Sequence, residues 1–304
     1  MSRSHLSAVL TAVFVTVLWS SSWVFIKWGL QDIAPLPFAG LRYALAALML
    51  APIMLTAANR RALAGLGRRG WALLLAFGLL QYAVTQGAQF MALAHLPATT
   101  LSLMLAFTPV LVAVLGAGLL GERIGWAEAA GIGVFLIGAG LYFAGKDLAA
   151  GAMIGLAIGA VGVMANAGQQ LLGRKVNRDT GLPPSLITAV SMAAGAAALL
   201  STGVAVQGWP EMTPRGWAIV LWLAAANTAL AFWLWNRAQA VLSALEASLI
   251  NNTMLIQIAV LAVLFLGERP SPAQWLGLAL AGLGVLGVQL ARMRQPTPAA
   301  AAAR

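Results

Sequence analysis

Apolar residues in this chain run in long stretches, with polar residues gathered into short gaps between them. A hydrocarbon core about 30 Å thick takes about 20 apolar residues to cross as a helix. Ten stretches reach that length, spanning 6–26, 36–57, 70–91, 97–120, 126–144, 151–172, 183–205, 215–237, 244–266 and 273–292. Near-continuous runs are unlike the alternating strands of an outer-membrane barrel. The predicted fold class is therefore all-α, a polytopic membrane protein of ten transmembrane helices. The first stretch follows Arg3 and His5. It is too long for a signal-peptide core and lacks a clear small-residue cleavage site, so it reads as a retained helix. From Gln295 to Arg304 the chain turns to Pro and Ala and reads as a disordered tail.

The gaps give an orientation, because Lys and Arg accumulate on the cytoplasmic side of membrane proteins. With the N-terminus inside, thirteen of the 18 Lys and Arg residues fall on the inner side. Lys27, Lys146, Arg215 and Arg269 fall outside, and Arg42 lies within a span. Both termini are expected in the cytoplasm.

Composition narrows the function classes. Hydrophobic side chains make up 61% of the 304 residues and charged ones 9%, with a mean hydropathy of +0.87. Soluble domains carry about 25% charged residues, so a water-soluble enzyme, a disordered chain and a soluble nucleic-acid binder are all excluded. The net charge of +10 is absorbed by topology and by anionic lipid headgroups. Membrane lipids are the expected partners, with no nucleic acid. Cysteine is absent, which removes disulfide and Cys-based metal chemistry. The loops are too short to carry a separate activity.

The chain also repeats itself at a constant offset of 146 residues. Leu120-Gly121-Glu122-Arg123 returns as Leu266-Gly267-Glu268-Arg269, and Arg69-Gly70-Trp71 as Arg215-Gly216-Trp217. Leu36-Pro37 returns as Leu182-Pro183, Gly131 and Gly138 as Gly277 and Gly284, and Ser102 as Ser248. The expected organisation is a five-helix repeat over 1–146, a second over 147–294, and the tail at 295–304. Five is odd, so the second repeat enters the membrane inverted. Inverted repeats place a substrate site near the bilayer midplane and rock about it.

The run Trp19-Ser20-Ser21-Ser22-Trp23-Val24-Phe25-Ile26-Lys27, with Pro35, Phe38 and Arg42-Tyr43 after it, resembles the opening of the EamA branch of the drug/metabolite transporter superfamily. So do Ala94-His95-Leu96-Pro97-Ala98, Thr108-Pro109 and both Gly-Glu-Arg turns. The resemblance covers nearly the whole chain. It implies ten helices, a bacterial inner-membrane location and efflux or exchange of small metabolites. Within the branch the chain resembles the aromatic amino acid exporters of the YddG type. The mate of Pro109 is Leu255, so the residues give no ground for a matching kink in the ninth span.

Polar side chains at membrane depth face a cavity or another helix. In the third span Gln81, Thr85 and Gln89 follow helical spacing, as do Tyr82, Gln86 and Gln89, and form one polar stripe. Gln81 and Tyr82 lie near its centre, and their repeat mates are Asn227 and Thr228 in the eighth span. Amide plus hydroxyl from two helices at one depth is what a central site needs, the alternative being interhelical bonding that holds the bundle together. Asn251, Asn252 and Thr253 open the ninth span. Asn166, mate of Ser20, shares a face of the sixth with Gly155, Gly159 and Gly162. Trp19, Trp23, Trp222 and Trp233 lie deeper than the other tryptophans and are candidate cavity walls, with Met104 and Phe107 as adaptable apolar neighbours. Arg42 has three readings: snorkelling to the outer headgroups, pairing with Asp32, or attracting an anionic substrate group. Ser243 and Glu246 form a capping-box pattern, and the Gly-Glu-Arg turns read as helix ends.

All eight acids and both histidines sit in loops or near span ends. A tightly proton-coupled exporter of cationic drugs needs a buried ionisable group. The predicted cargo is instead a small neutral or zwitterionic metabolite, most of all a hydrophobic or aromatic amino acid, carried by facilitated or loosely coupled alternating access. No catalytic or metal constellation is present, and no cofactor is expected. Alternatives are a sugar-phosphate or nucleotide-sugar exchanger, and a drug or lipid carrier. Glycine-rich fifth and tenth spans leave internal packing or dimerisation open, so the chain is expected as a monomer or homodimer.

Overall fold

The computed structural model describes residues 3–120, 124–144 and 150–294. Ten of its helices are long and apolar enough to cross a membrane. They are helix 1 (Ser4–Gly29), helix 2 (Pro35–Leu55), helix 3 (Arg68–His95), helix 4 (Ala98–Leu115) and helix 5 (Trp126–Phe143). Helix 6 (Ala150–Thr180), helix 7 (Pro184–Gln207), helix 8 (Pro214–Gln239), helix 9 (Glu246–Leu266) and helix 10 (Pro272–Met293) follow. No strand occurs among the described residues. The predicted spans agree with these ends except in helix 6. That helix continues past its apolar run because its polar last turns carry their own support: Thr180 Oγ1 donates to Val176 O at 2.7 Å, and Lys175 pairs with Asp179 at 4.0 Å. Gly181, in the left-handed region at φ 62°, then stops it. A short helix not predicted, Ala57–Ala64, fills the second gap and is capped by Thr56, whose Oγ1 accepts from Asn59 N at 3.3 Å. The repeat boundary at 146/147, the Gly121-Glu122-Arg123 turn and the tail lie outside the described residues.

Packing follows the inverted repeat. Helix 2 lies along its mate, helix 7, and helix 5 along its mate, helix 10. Helix 3 packs on helices 6 and 7, while helix 8 packs on 1 and 2; helix 1 bridges 8 and 9, while helix 6 bridges 3 and 4. Each contact reappears with the halves exchanged. The same exchange holds at residue level between helices 5 and 10. A Cβ built on Gly277 would lie 2.6 Å from Gly138 O, and one on Gly284 would lie 2.7 Å from Gly131 O. Shifting those pairs by the repeat offset converts one contact into the other, as a two-fold axis requires. Glycine is needed here because lipid supplies no hydrophobic drive between helices, so close backbone approach must supply the attraction. These glycines are thus consumed by internal packing. Gly277→Ala meets backbone that cannot yield and should cost about 1–3 kcal/mol. Its thermal midpoint in detergent should fall, while Gly133→Ala, with nothing within 4 Å of the new methyl, should not lower it. Equal midpoints would contradict the close approach.

Among the described residues, regular helix fails within the spans at four places, again in mate pairs. Leu79–Thr85 of helix 3 and Ala225–Leu230 of helix 8 are wound as π-helix, one repeat offset apart. In helix 4 the ladder breaks at Phe107, two residues before Pro109, which lacks an N–H and crowds the preceding turn. Helix 9 breaks at Thr253, the mate of Phe107, although Leu255 replaces the proline. A matching break is therefore present where proline gave no reason to expect one. Side chains provide the cause: Thr253 Oγ1 donates to Ile250 O at 2.6 Å and accepts from Gln257 Nε2 at 2.8 Å, competing with the ladder.

Candidate functional site

Helix 2 lies between the two repeat-related polar pairs. On one side, Arg42 Nε donates to Thr228 Oγ1 at 3.0 Å and Nη2 to Asn227 O at 3.5 Å. On the other, the Tyr43 ring packs on Tyr82 with centroids 5.5 Å apart. The π turn of helix 8 makes the first contact possible. Ala231 N–H bonds Ala226 O and Thr228 O, passing over Asn227 O, whose carbonyl is left to receive Arg42. Thr228 Oγ1 in turn donates to Leu223 O at 2.8 Å, so the hydroxyl uses its proton on the backbone and its lone pair on Arg42. Asn227 Nδ2 donates to Leu18 O and to Ser21 Oγ, joining helix 1 to the group. Asn227, Thr228 and Tyr82 are all buried.

Two of the three readings of Arg42 fall. The side chain is 5% exposed, so it does not snorkel. Asp32 faces Arg215 instead, at 3.9 Å. Helix 2 turns this face toward helix 8, and burial between helices closes the route to the headgroups.

The other candidates form separate groups. Gln81 is half-buried, and its Oε1 is enclosed without a hydrogen-bond partner. It does not meet Asn227, since helix 3 packs on helices 6 and 7 and helix 8 on 1 and 2; helix 2 spans between them. Gln86 is half-buried one turn further on. Ser20 Oγ donates to Gln257 Oε1 at 2.9 Å, and Gln257 Nε2 reaches Thr16 Oγ1 at 3.2 Å. Asn166 Nδ2 donates to Thr108 Oγ1 at 3.1 Å. The mates Ser20 and Asn166 thus each tie into a helix beside its break. The glycine face around Asn166 points inward as expected, since Gly155 and Gly159 abut Leu96 and Met104. Asn252 pairs with Gln289 of helix 10, donating at 2.5 Å and accepting at 3.3 Å, whereas Asn251 is exposed.

The tryptophans divide. Trp19 packs on Phe232 and Trp235 of helix 8, at 5.7 and 5.1 Å between centroids. Trp23 packs against the main buried cluster. Trp233 is not part of the polar group: it is 51% exposed on the outer face of helix 8, with the Arg237 guanidinium 4.8 Å from its ring. Helix 8 turns Asn227 inward and so must turn Trp233 out. Trp222 is exposed on that same face beside Phe25.

Three polar features escaped the sequence reading. Gln257 is one. Glu268 is another: its carboxylate accepts from Ala98 N, Thr99 N and Thr99 Oγ1, at 2.5, 3.2 and 2.7 Å, and so caps helix 4 from the opposite repeat. Thr99 and Thr100 also share the Tyr142 hydroxyl, at 2.9 Å each. The third is buried Glu128, which pairs with Arg292 at 2.6 Å. The expected capping box is present: Ser243 N donates to Glu246 Oε2 at 2.9 Å and Glu246 N to Ser243 Oγ at 3.3 Å, while His5 Nε2 meets Glu246 Oε1 at 2.8 Å.

A recess of about 480 Å³ is lined by Lys27, Gln31, His95, Pro97 and Glu268. A shallow groove of about 540 Å³ runs along the exposed apolar face of helix 1, lined by Leu6, Leu10 and Phe14 with Leu234 of helix 8. Neither includes Arg42 or Asn227.

The EamA-like transporter family matches the chain twice, over residues 6–144 and 153–290. A probable terminal-alkyne amino-acid exporter of Streptantibioticus cattleyicolor is 31% identical over 94% of this chain and 94% of its own length. The uncharacterized transporter YvbV of Bacillus subtilis (strain 168) is 28% identical over 73% of this chain and 68% of its own. A solved crystal structure with 20% identity superposes with a TM-score of 0.64 over 95% of this chain and 99% of that one, which shows a shared fold. With ten membrane helices, two matched halves and irregular backbone at repeat-related positions, the chain belongs to the EamA-like transporter family of membrane transporters.

Proposed function

We propose that this protein exports small zwitterionic metabolites, above all hydrophobic or aromatic amino acids, across the bacterial inner membrane with both termini in the cytoplasm. The observation that carries this reading is the enclosed group of amide, hydroxyl and guanidinium around Asn227, Thr228 and Arg42. A zwitterion has no net charge to compensate, so a site of neutral hydrogen-bonding groups with one cation can strip its water without importing a second ion. The name carried by the Streptantibioticus relative points the same way.

Passage follows from the symmetry. Breaks in helices 4 and 9 and π turns in 3 and 8 give each half a flexible point at matching depth. The two halves rock about the centre and expose it to one face and then the other. Glu246 is held at a helix end by Ser243 and His5, which supports a capping role over one as a proton carrier. An anionic sugar phosphate fits less well, since such groups are gripped by several cations and Arg42 is the one buried Lys or Arg among the described residues.

Counterflow of a labelled amino-acid panel into proteoliposomes tests the reading, with sugar phosphates and quaternary cations as comparators. Uptake of phenylalanine or leucine, unchanged when a proton gradient is collapsed and retained by Glu246→Gln, is the expected result. Uptake that needs the gradient and vanishes in Glu246→Gln would contradict it, as would preference for the sugar phosphate.

A further inference from the structure

Arg42 is a buried cation without a counter-anion. It lies seven residues along helix 2 from Pro35, about 10 Å from that end at 1.5 Å per residue. Its partners are the Thr228 hydroxyl, the Asn227 carbonyl and the neighbouring Tyr43 ring, 5.1 Å away. No carboxylate among the described residues pairs with it. A guanidinium stays charged in proteins and offers five N–H donors in a planar fork. Thr228 and Asn227 take two of them, so most of the fork is unspent. Burying such a group without an anion is unfavourable, and an anion arriving from elsewhere would relieve the cost.

The spare donors have a complement close by. Asn227 Oδ1 is buried and has no hydrogen-bond partner. The orientation of that amide is fixed, because its other end faces the Leu18 carbonyl and must therefore be the NH₂. The two residues that carry the unused cationic donors and the unused neutral acceptor are in contact, Arg42 Nη2 donating to Asn227 O at 3.5 Å, and each is also held by a neighbour, Arg42 by Thr228 and Asn227 by Ser21. An α-carboxylate accepts from the first and an α-ammonium donates to the second.

We propose that Arg42 is the carboxylate anchor of the transport site and Asn227 Oδ1 its ammonium acceptor, so that the cargo is selected for an unblocked α-amino acid head group. This rests on the amino-acid reading above and specifies it. Recognition is by head group, and the side chain meets the apolar walls. Thr228, bonded to both Arg42 and the backbone, is a positioning residue.

The test compares phenylalanine with phenylalaninamide, which lacks the carboxylate charge, and phenethylamine, which lacks the carboxylate altogether. In wild-type proteoliposomes the two analogues should compete for labelled phenylalanine at least tenfold more weakly than phenylalanine itself. Arg42→Gln should abolish that preference by weakening phenylalanine and leaving the analogues unchanged. Arg42→Lys, which keeps the charge and loses the fork, should restore part of it. A wild type that takes phenylalaninamide as well as phenylalanine overturns the anchor and leaves the amino-acid reading standing. So does an Arg42→Gln protein in which all three compounds weaken equally, the result of a purely structural role. If Arg42→Gln does not fold, Arg42→Lys decides alone: a raised KM for phenylalanine with the analogues unmoved supports the anchor, and an unmoved KM for phenylalanine overturns it. A wild type that carries no amino acid sinks the amino-acid reading itself, and the anchor with it.

Discussion

Asn227→Ala is expected to cut amino-acid counterflow by at least about tenfold while lowering the melting temperature by only a few degrees. The two effects separate because they have different sources. The structural loss is a pair of bonds from Nδ2 to Leu18 O and Ser21 Oγ. Interhelical hydrogen bonds in membranes are worth about 0.6 kcal/mol on average. A tenfold loss of transport corresponds to about 1.4 kcal/mol, somewhat more than the pair supplies together, about 1.2 kcal/mol. If Asn227 merely joined helices 1 and 8, transport would fall only as far as folded protein is lost. Counterflow within twofold of wild type would show that interhelical bonding is its whole role, and Arg61→Ala, at an exposed position of the short helix Ala57–Ala64, provides the control that should change neither quantity.

The largest stability effect is expected at Glu268. Helix 4 begins at Ala98, and its first N–H groups have no partners within the helix. Glu268 supplies them from helix 9, and a carboxylate at a helix N-terminus also complements the macrodipole. Hydrogen bonds to charged groups are worth about 1.5–3 kcal/mol each. Water at this end of the bundle replaces part of them, so Glu268→Ala should cost about 3 kcal/mol, and Glu268→Gln, which still accepts at one oxygen, about half that. Unfolding in micelles measures both. A loss below about 1 kcal/mol for the alanine variant would mean that the cap between the repeats contributes little.

Much of the fold could be read from the chain because the membrane simplifies the problem. Every backbone group must be paired internally, so length and apolarity alone locate helices. The repeat offset then relates helix to helix, and the reciprocal contacts of Gly131 with Gly284 and Gly138 with Gly277 follow from it. What could not be read depends on which face each helix turns. Arg42 has the same sequence environment whether it points to headgroups or to Thr228, and only the packing of helix 2 on helix 8 decides. Gln81 and Asn227 share a repeat position, yet inverted halves place them on different walls, so equivalence in sequence did not become contact in space. Trp233 fails as a wall residue for a related reason, since the face that buries Asn227 exposes it. The break in helix 9 was hidden because proline is the familiar signal, whereas Thr253 and Gln257 produce it through side-chain bonds. Glu268 looked like helix punctuation. Gly267 does end helix 9 in the left-handed region at φ 68°, but the carboxylate beside it works on a helix from the other repeat.

The absence of cysteine makes one measurement especially direct. Ser21 contacts Asn227 from helix 1, so a Ser21→Cys protein carries a single thiol at the enclosed polar group. In oriented vesicles a small membrane-impermeant thiol reagent should modify it when applied from either face, and saturating amino acid should slow both reactions. A folded protein whose Ser21→Cys thiol reacts from one face only, or from neither, would contradict the claim that the two inverted halves open this group alternately to the two sides.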